Sequence, residues 1–580
     1  MTAWQRGAAE MGAIAGLFHP STPKPVDPAR LRAMAEAMAH RGPDGAGEWT
    51  APGVGFAHRR LAVIGGAAAT QPVATPDLRY AAMLDGTILN HAALRTELRG
   101  LGRVFVGDGD AEVVLHGFAA WGPALLDRLE GAFAIAVHDA ATQTLFLARD
   151  RLGAKPLHLA MLPDGALIFA SELKGLLAHP LLRRVPDAAA VGDYLTLGYV
   201  PDDACVIAGV EKLAAGHFLL VERARPLRGA RRWWALPDAG EAPAEALLAE
   251  LRAAVARGVG EGRPVAVLLG GLGDASVVAL AAEASAKAVA TVGVGDDGAV
   301  ATRFATAHRR VALDDVPAVL ADLVAAFDEP CGDPAALAAM VAARGSGPVA
   351  MSGAGASLLM EGGRWRRFAR RERWRRFRWT VPGLGEAAAD YALAVGAADA
   401  SGVWSPEGRR ALGDGDVMRR FAAAWRGGDP LDAAMRVDLA TRLSGQVLTI
   451  ADRAGMAAGT EWRTPFADPR LVGFVLSLPV GVRRARTSPL VGAMARHLPA
   501  MPVPAPAPPV SQWLRGALSA DMARLERSRL LAELGWFDTG RIGAWIERHR
   551  SGDDTPAALL WRLLVLERSL SRLFGWPASA

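Results

Sequence analysis

Cysteine is almost absent from the chain. Cys205 and Cys331 stand far apart among 580 residues. That excludes a disulfide framework and a cysteine-based metal site, and points to a reducing cytosol. Long apolar runs are missing as well. No stretch offers the ~20 clean apolar residues that a membrane helix needs. The N-terminus shows no basic region followed by an apolar core of secretory type, and the short apolar segment Ala13 to Phe18 reads as a strand. A basic surface spread over the molecule is the third absence. The net charge is +5, yet Arg364 to Arg378 holds nine arginines against Glu372, a local +8 that leaves −3 for the remainder. The chain is therefore expected to bind neither nucleic acid nor a membrane.

With 51% hydrophobic and 22% charged residues, the composition is that of a soluble globular protein. The length exceeds one ordinary core, so two domains are expected. One stretch organises the second of them. Val265 to Ser276, VAVLLGGLGDAS, runs from an apolar strand into a Gly-rich turn and then an amphipathic helix. A helix N-terminus behind such a turn offers free N–H groups to an anion, and glycine lets the backbone approach it. An ordinary ligand-free turn has the same pattern.

This stretch resembles the pyrophosphatase loop, S-G-G-L-D-S-S, of the asparagine synthetase family of glutamine-dependent amidotransferases. Gly270 stands where the family has its first Ser, Leu272 and Gly273 exchange the family's Gly and Leu, and Ala275 replaces a Ser. Other segments resemble the family in the same order: Met11 to Phe18, His40 to Gly45 (HRGPDG), Ala57 to Ile64 (AHRRLAVI), Leu145 to Leu157 (LFLARDRLGAKPL), Phe169 to Lys174 (FASELK), Phe327 to Pro334 (FDEPCGDP) and Leu448 to Asp468. The resemblance implies an α/β protein of two domains. An Ntn-hydrolase-like αββα glutaminase fold would span 11–222. A connection over 223–243 would join it to a parallel α/β synthetase domain of the pyrophosphatase-loop type, with extra helices, over 244–580.

What the resemblance implies about chemistry is mostly loss. Gly12 stands where the family has its nucleophilic Cys, whose thiolate attacks the glutamine amide. Ten residues precede Met11. The remnants of a glutamine pocket are Arg59 or Arg60 for a carboxylate, Gly86, and Asp110 for the substrate amine. Asp85 replaces the Asn that donates to the oxyanion, exchanging a donor for an acceptor. The nucleotide candidates are Leu269, Gly270, Gly271, Gly273, Asp274, Ser276, Ser352 and Gly353. In SGAGASLLMEGG, Ala354, Ser357 and Leu358 occupy positions that are acidic in the family, which leaves Asp274 as the one metal carboxylate and weakens the case for ATP and Mg²⁺. Asp452, Arg453, Glu461 and Arg463 keep the family's pattern, read as a helix running into a turn with a supporting role. The family's lysines are absent at Thr487 to Pro489 and from the Pro-rich run Pro502 to Val510, which is expected to be extended and mobile. The Arg364 to Arg378 cluster reads as a solvated helix, or as a contact for an acidic partner.

The expected function is that of a degenerate homologue with no tightly bound cofactor, acting as a regulatory or scaffold subunit. Its partners would be small-molecule ligands, a second copy of the chain or an active paralogue. The alternative is an ATP-dependent amide-forming ligase that uses ammonia or another amine.

Overall fold

The computed structural model describes residues 10–62, 70–238, 240–259, 265–268, 270–285, 288–295, 298–361, 365, 368, 391, 400–413, 417–425, 429–485, 487–499 and 507–575. Leu269, most of the Arg364 to Arg378 cluster and Pro502 to Pro506 lie outside them.

Short apolar runs between Gly, Pro and Asp turns become the strands of the first half. These are β1 (Glu10–Phe18), β2 (Gly45–Ala51), β3 (Val54–Ala62), β4 (Val73–Ala74), β5 (Tyr80–Ile88), β6 (Gly131–Asp139), β7 (Thr144–Arg149), β8 (His158–Met161), β9 (Leu167–Ala170), β10 (Val210–Lys212), β11 (His217–Glu222) and β12 (Arg231–Arg232). They build two antiparallel sheets, ordered β10-β8-β9-β1-β3-β2 and β12-β11-β7-β6-β5-β4. Ile14, Phe18 and Phe56 of one sheet interdigitate with Met83, Leu145 and Leu147 of the other, the aligned packing of two inner faces. Helix α1 (Pro28–Glu36) covers the first sheet and α2 (Asp110–Trp121) the second. Asp27 caps α1 by accepting from the Ala29 N–H at 2.9 Å, and Pro28 takes the first helical position. The helix stops at Glu36. A 3₁₀ turn, Ala39–Arg41, follows and turns Arg41 inward. Because β12 pairs with β11, the second sheet extends into the segment read as a connection.

The second half opens with α3 (Leu247–Val259), then β13 (Val265–Leu268), α4 (Leu272–Ala284), β14 (Ala290–Val294), β15 (Ala307–Val311) and β16 (Val349–Met351). Further on come α5 (Thr449–Ala457), β17 (Glu461–Arg463) and the long α6 (Ala557–Phe574). The sheet is parallel, ordered β15-β14-β13-β16-β17. Its strand order reverses between β13 and β16, so the loops after those strands flank a switch point, where ligands bind in such sheets. β17 departs from the expected turn. Gly459, at φ +63°, ends α5, and Glu461 to Arg463 satisfy their backbone groups against β16.

The Arg cluster also departs from a purely solvated helix. Trp365 and Phe368 are buried, and Phe368 stands edge-on to Tyr391 and Trp425. No described helix is long and apolar enough to cross a membrane. The largest apolar core spans both halves, joining Ile168 and Tyr194 to Leu337, Leu560 and Trp561.

Candidate functional site

Position 12 lies mid-strand in β1, opposite Arg60 of β3. Gly12 has φ +156°, and a β-carbon built on it would sit 1.7 Å from the Arg59 carbonyl oxygen. No side chain fits there without moving β3. The strand continues upstream through Met11, whose fully buried side chain packs on Leu61 and on Met456 of the second half.

The groups around Gly12 are tied to one another. Arg41, fully buried, donates from Nε to the Gly12 carbonyl at 3.0 Å, from Nη2 to Asp85 at 3.0 Å, and from Nη1 to Glu172 at 2.9 Å and Asp452 at 2.6 Å. Ser171 donates to the same Asp85 oxygen at 2.7 Å. Asp85 is therefore the acceptor of a buried ion pair. Lys155 reaches Asp452 at 3.1 Å, and Arg453 and Lys174 pair with Glu172. Burial alone would raise the Asp452 and Glu172 carboxyls. The cations against them, Arg41 and Lys155 for Asp452, Arg453 and Lys174 for Glu172, hold both well below the usual carboxylate range.

The other residues expected in a glutamine pocket lie on β3, on β5 and at the start of α2. Arg59 donates to the Gly42 carbonyl at 3.1 Å and pairs with Glu36 at 3.1 Å. Arg60 lies across from Gly12 on β3. Gly86 has φ +133°, with the Ala132 carbonyl filling the place of its missing side chain. Asp110 is buried and accepts from the Ile88 N–H at 2.9 Å. Burial pushes its carboxyl up to about 6, against the pull of His91.

At the nucleotide loop, Gly270 takes φ +85° and α4 begins at Leu272. Gly271 precedes the first helical residue as its cap. The Gly273 N–H donates to Glu361 at 3.0 Å, so a side-chain carboxylate already rests on the start of this helix. Asp274 accepts from the Gly353 N–H at 2.8 Å. Gly353 lies so close that a β-carbon on it would be 2.2 Å from the Gly273 carbonyl carbon. Ser276 turns its hydroxyl back to the Leu272 carbonyl at 2.7 Å, and Ser352 accepts from the Ala354 N–H at 3.3 Å. Leu358 is buried in the core and Ser357 is exposed. Among the described residues, no group of three or more His, Cys, Asp or Glu could hold a metal. Asp274 is the one carboxylate at this turn besides Glu361, and both are engaged with backbone N–H groups.

Comparison with known proteins fits this geography. A family model for a glutamine amidotransferase domain matches residues 11–234, and one for asparagine synthase matches 246–571. The putative glutamine-hydrolysing asparagine synthetases of Mycobacterium bovis and Mycobacterium tuberculosis are each 30% identical over an alignment of 604 positions that covers 91% of this chain and 91% of theirs. The chain belongs to the asparagine synthetase family. A solved Bacillus subtilis glutamine phosphoribosylpyrophosphate amidotransferase matches 48% of this chain and 65% of its own, at 16% identity and a TM-score of 0.29, a likeness too slight to carry weight.

Family membership explains which segments stay recognisable. HRGPDG supplies Arg41, FASELK supplies Glu172 and Lys174, and FDEPCGDP supplies Asp328, which pairs with Lys174 at 3.1 Å. The next residue, Glu329, accepts from the Val206 N–H at 3.1 Å and pairs with Lys212. Asp452 and Arg453 close the network. Glu461 accepts from Thr87 at 3.1 Å and holds Arg463, also at 3.1 Å. These segments meet at the boundary between the halves. Sequence reasoning matched them to the family without assigning Arg41, Glu172, Lys155 or Asp328 a role. The available signal was that each is a charged residue inside a closely matching segment.

Proposed function

We propose that this member of the asparagine synthetase family is a degenerate homologue. In this reading it does not hydrolyse glutamine, and its family's ATP-dependent amidation is impaired or lost, leaving a regulatory or scaffold role. The observation that carries the reading is position 12. Glycine offers no nucleophile, and the backbone of β3 fills the space a thiol would need. The ion network around Arg41 supports it, since the groups nearest Gly12 bind each other. The nucleotide loop adds further support. Glu361 and Asp274 are satisfied within the protein, and Ala354, Ser357 and Leu358 bring no carboxylate.

Calorimetry of the full chain with ATP and Mg²⁺, paired with a glutamate-release assay, tests this. The expected results are no saturable heat up to millimolar ATP and no glutamate formed. Micromolar binding that disappears in Asp274→Ala would overturn the nucleotide half of the reading. It would favour an amide-forming ligase fed by ammonia or another amine, to be followed by pyrophosphate release with aspartate. Glutamate release would overturn the glutaminase half.

A further inference from the structure

A cavity of about 430 Å³ lies between the two halves, bounded by Thr87, Lys155 and Arg151 on one side and by Arg257, Trp462 and Arg463 on the other. That volume is in the range of small-molecule sites. Its wall also carries Leu152, Trp234, Leu448 and Pro465, enough apolar surface to seat a hydrocarbon body.

The polar groups on the wall are unequally satisfied. The inner carboxylates are engaged. Asp150 accepts from the N–H groups of Phe133, Leu152, Ala154 and Lys155 at 2.9–3.3 Å. Asp452 holds Arg41 and Lys155, Glu461 holds Arg463 and Thr87, and Asp468 holds Arg257 at 2.7 Å. The donors are not used up. Arg257 Nη2 and Trp462 Nε1 are buried without a hydrogen-bond partner. Lys155, buried, makes a single side-chain hydrogen bond among the described residues, although an ammonium carries three donors. Unfilled buried capacity is costly and calls for a partner. Here that partner must accept hydrogen bonds. Lys155, Arg257 and Arg463 on the wall are already paired with carboxylates, and Arg151 donates to the main-chain carbonyls of Leu126, Asp127 and Leu129, so a singly charged acceptor suits the site better than a phosphate dianion.

We propose that this interdomain cavity is a binding site for a small monocarboxylate with an apolar body. Its head would lie at Arg257 and Lys155, and its tail along Trp234 and Leu448. Neither Gly12 nor the nucleotide loop lines this cavity, and the proposal does not depend on whether either is active.

The test is calorimetric titration of the full chain with sodium hexanoate and sodium benzoate, with sodium phosphate and hexylamine as controls. At least one carboxylate should bind with a submillimolar Kd, and neither control should. Arg257→Gln keeps a donor for Asp468 but removes the unpartnered Nη2. Ala154→Leu adds bulk on the partly buried wall of the cavity and leaves the ion pairs in place. Each should weaken binding about tenfold or more. Where Ala154→Leu does not fold, Arg257→Gln decides. The proposal is overturned if neither carboxylate binds below about 10 mM, if phosphate binds as tightly, or if affinity survives Arg257→Gln.

Discussion

A cysteine installed at position 12 would bring its β-carbon to 1.7 Å from the Arg59 carbonyl oxygen, at a φ of +156°. Gly12→Cys is therefore expected to lower stability by about 3 kcal/mol or more without producing glutamate from glutamine. Urea unfolding and a glutaminase assay on one preparation check both parts. Asp110 makes a second residue-scale prediction. Burial holds its carboxyl at about 6, above the ~3.9 of an unfolded aspartate. The folded state then binds more protons than the unfolded one between those values, so stability falls as pH rises from about 4 through 6. Asp110→Asn keeps an acceptor for the Ile88 N–H and removes that loss. It should stabilise the chain at pH 7 by about 1–3 kcal/mol and have little effect at pH 4, as read from urea midpoints.

Helix α4 is held at its start by a carboxylate from a neighbouring element, the π-helical turn Ser357–Glu361. Glu361→Ala leaves the Gly273 N–H without that partner and should cost about 1 kcal/mol, whereas Glu361→Gln, which keeps an acceptor, should cost less. The loss can be measured by chemical denaturation. At this scale the sequence was informative where local chemistry decides. The apolar run before Gly270 marked β13, and the Gly-rich turn marked the start of α4. β17 was not legible. Three residues show no periodicity, and their extended form depends on pairing with β16. The Glu361 contact was illegible for the same kind of reason, since it joins residues 88 positions apart. The Arg41–Asp452 pair spans 411 positions. Periodicity reports which face of an element is buried, not which distant charge it meets.

Across the whole molecule the charges at the boundary are complementary. Arg41, Lys155 and Lys174 face Asp85 and Glu172 within the first half, three cations against two anions. The second half brings Asp452 and Asp328 with Arg453, two anions against one cation. Each half alone would carry an unmatched charge at this face, of opposite sign to the other's. The chain should therefore unfold in one calorimetric transition. Asp452→Asn leaves Arg41 and Lys155 short of a counter-charge, costs about 3–5 kcal/mol, and should split the transition in two. Acid should act in the same place. The folded carboxyls of Asp452 and Glu172 lie below their unfolded values, so their contribution is present above about pH 4–5 and is lost as pH falls below it. Hydrogen exchange near pH 3 should show amides of α5 and of the Ala39–Arg41 turn opening before those of the β5–β6 pair.

A boundary welded in this way also bears on how the gene can change. The two halves cannot be traded as independent modules. A recombinant that joins this first half to a related second half inherits a buried positive surplus, and it folds only where the incoming partner supplies carboxylates at the positions of Asp452 and Asp328. Inheritance of the pair as one block is thus written into the electrostatics of the interface.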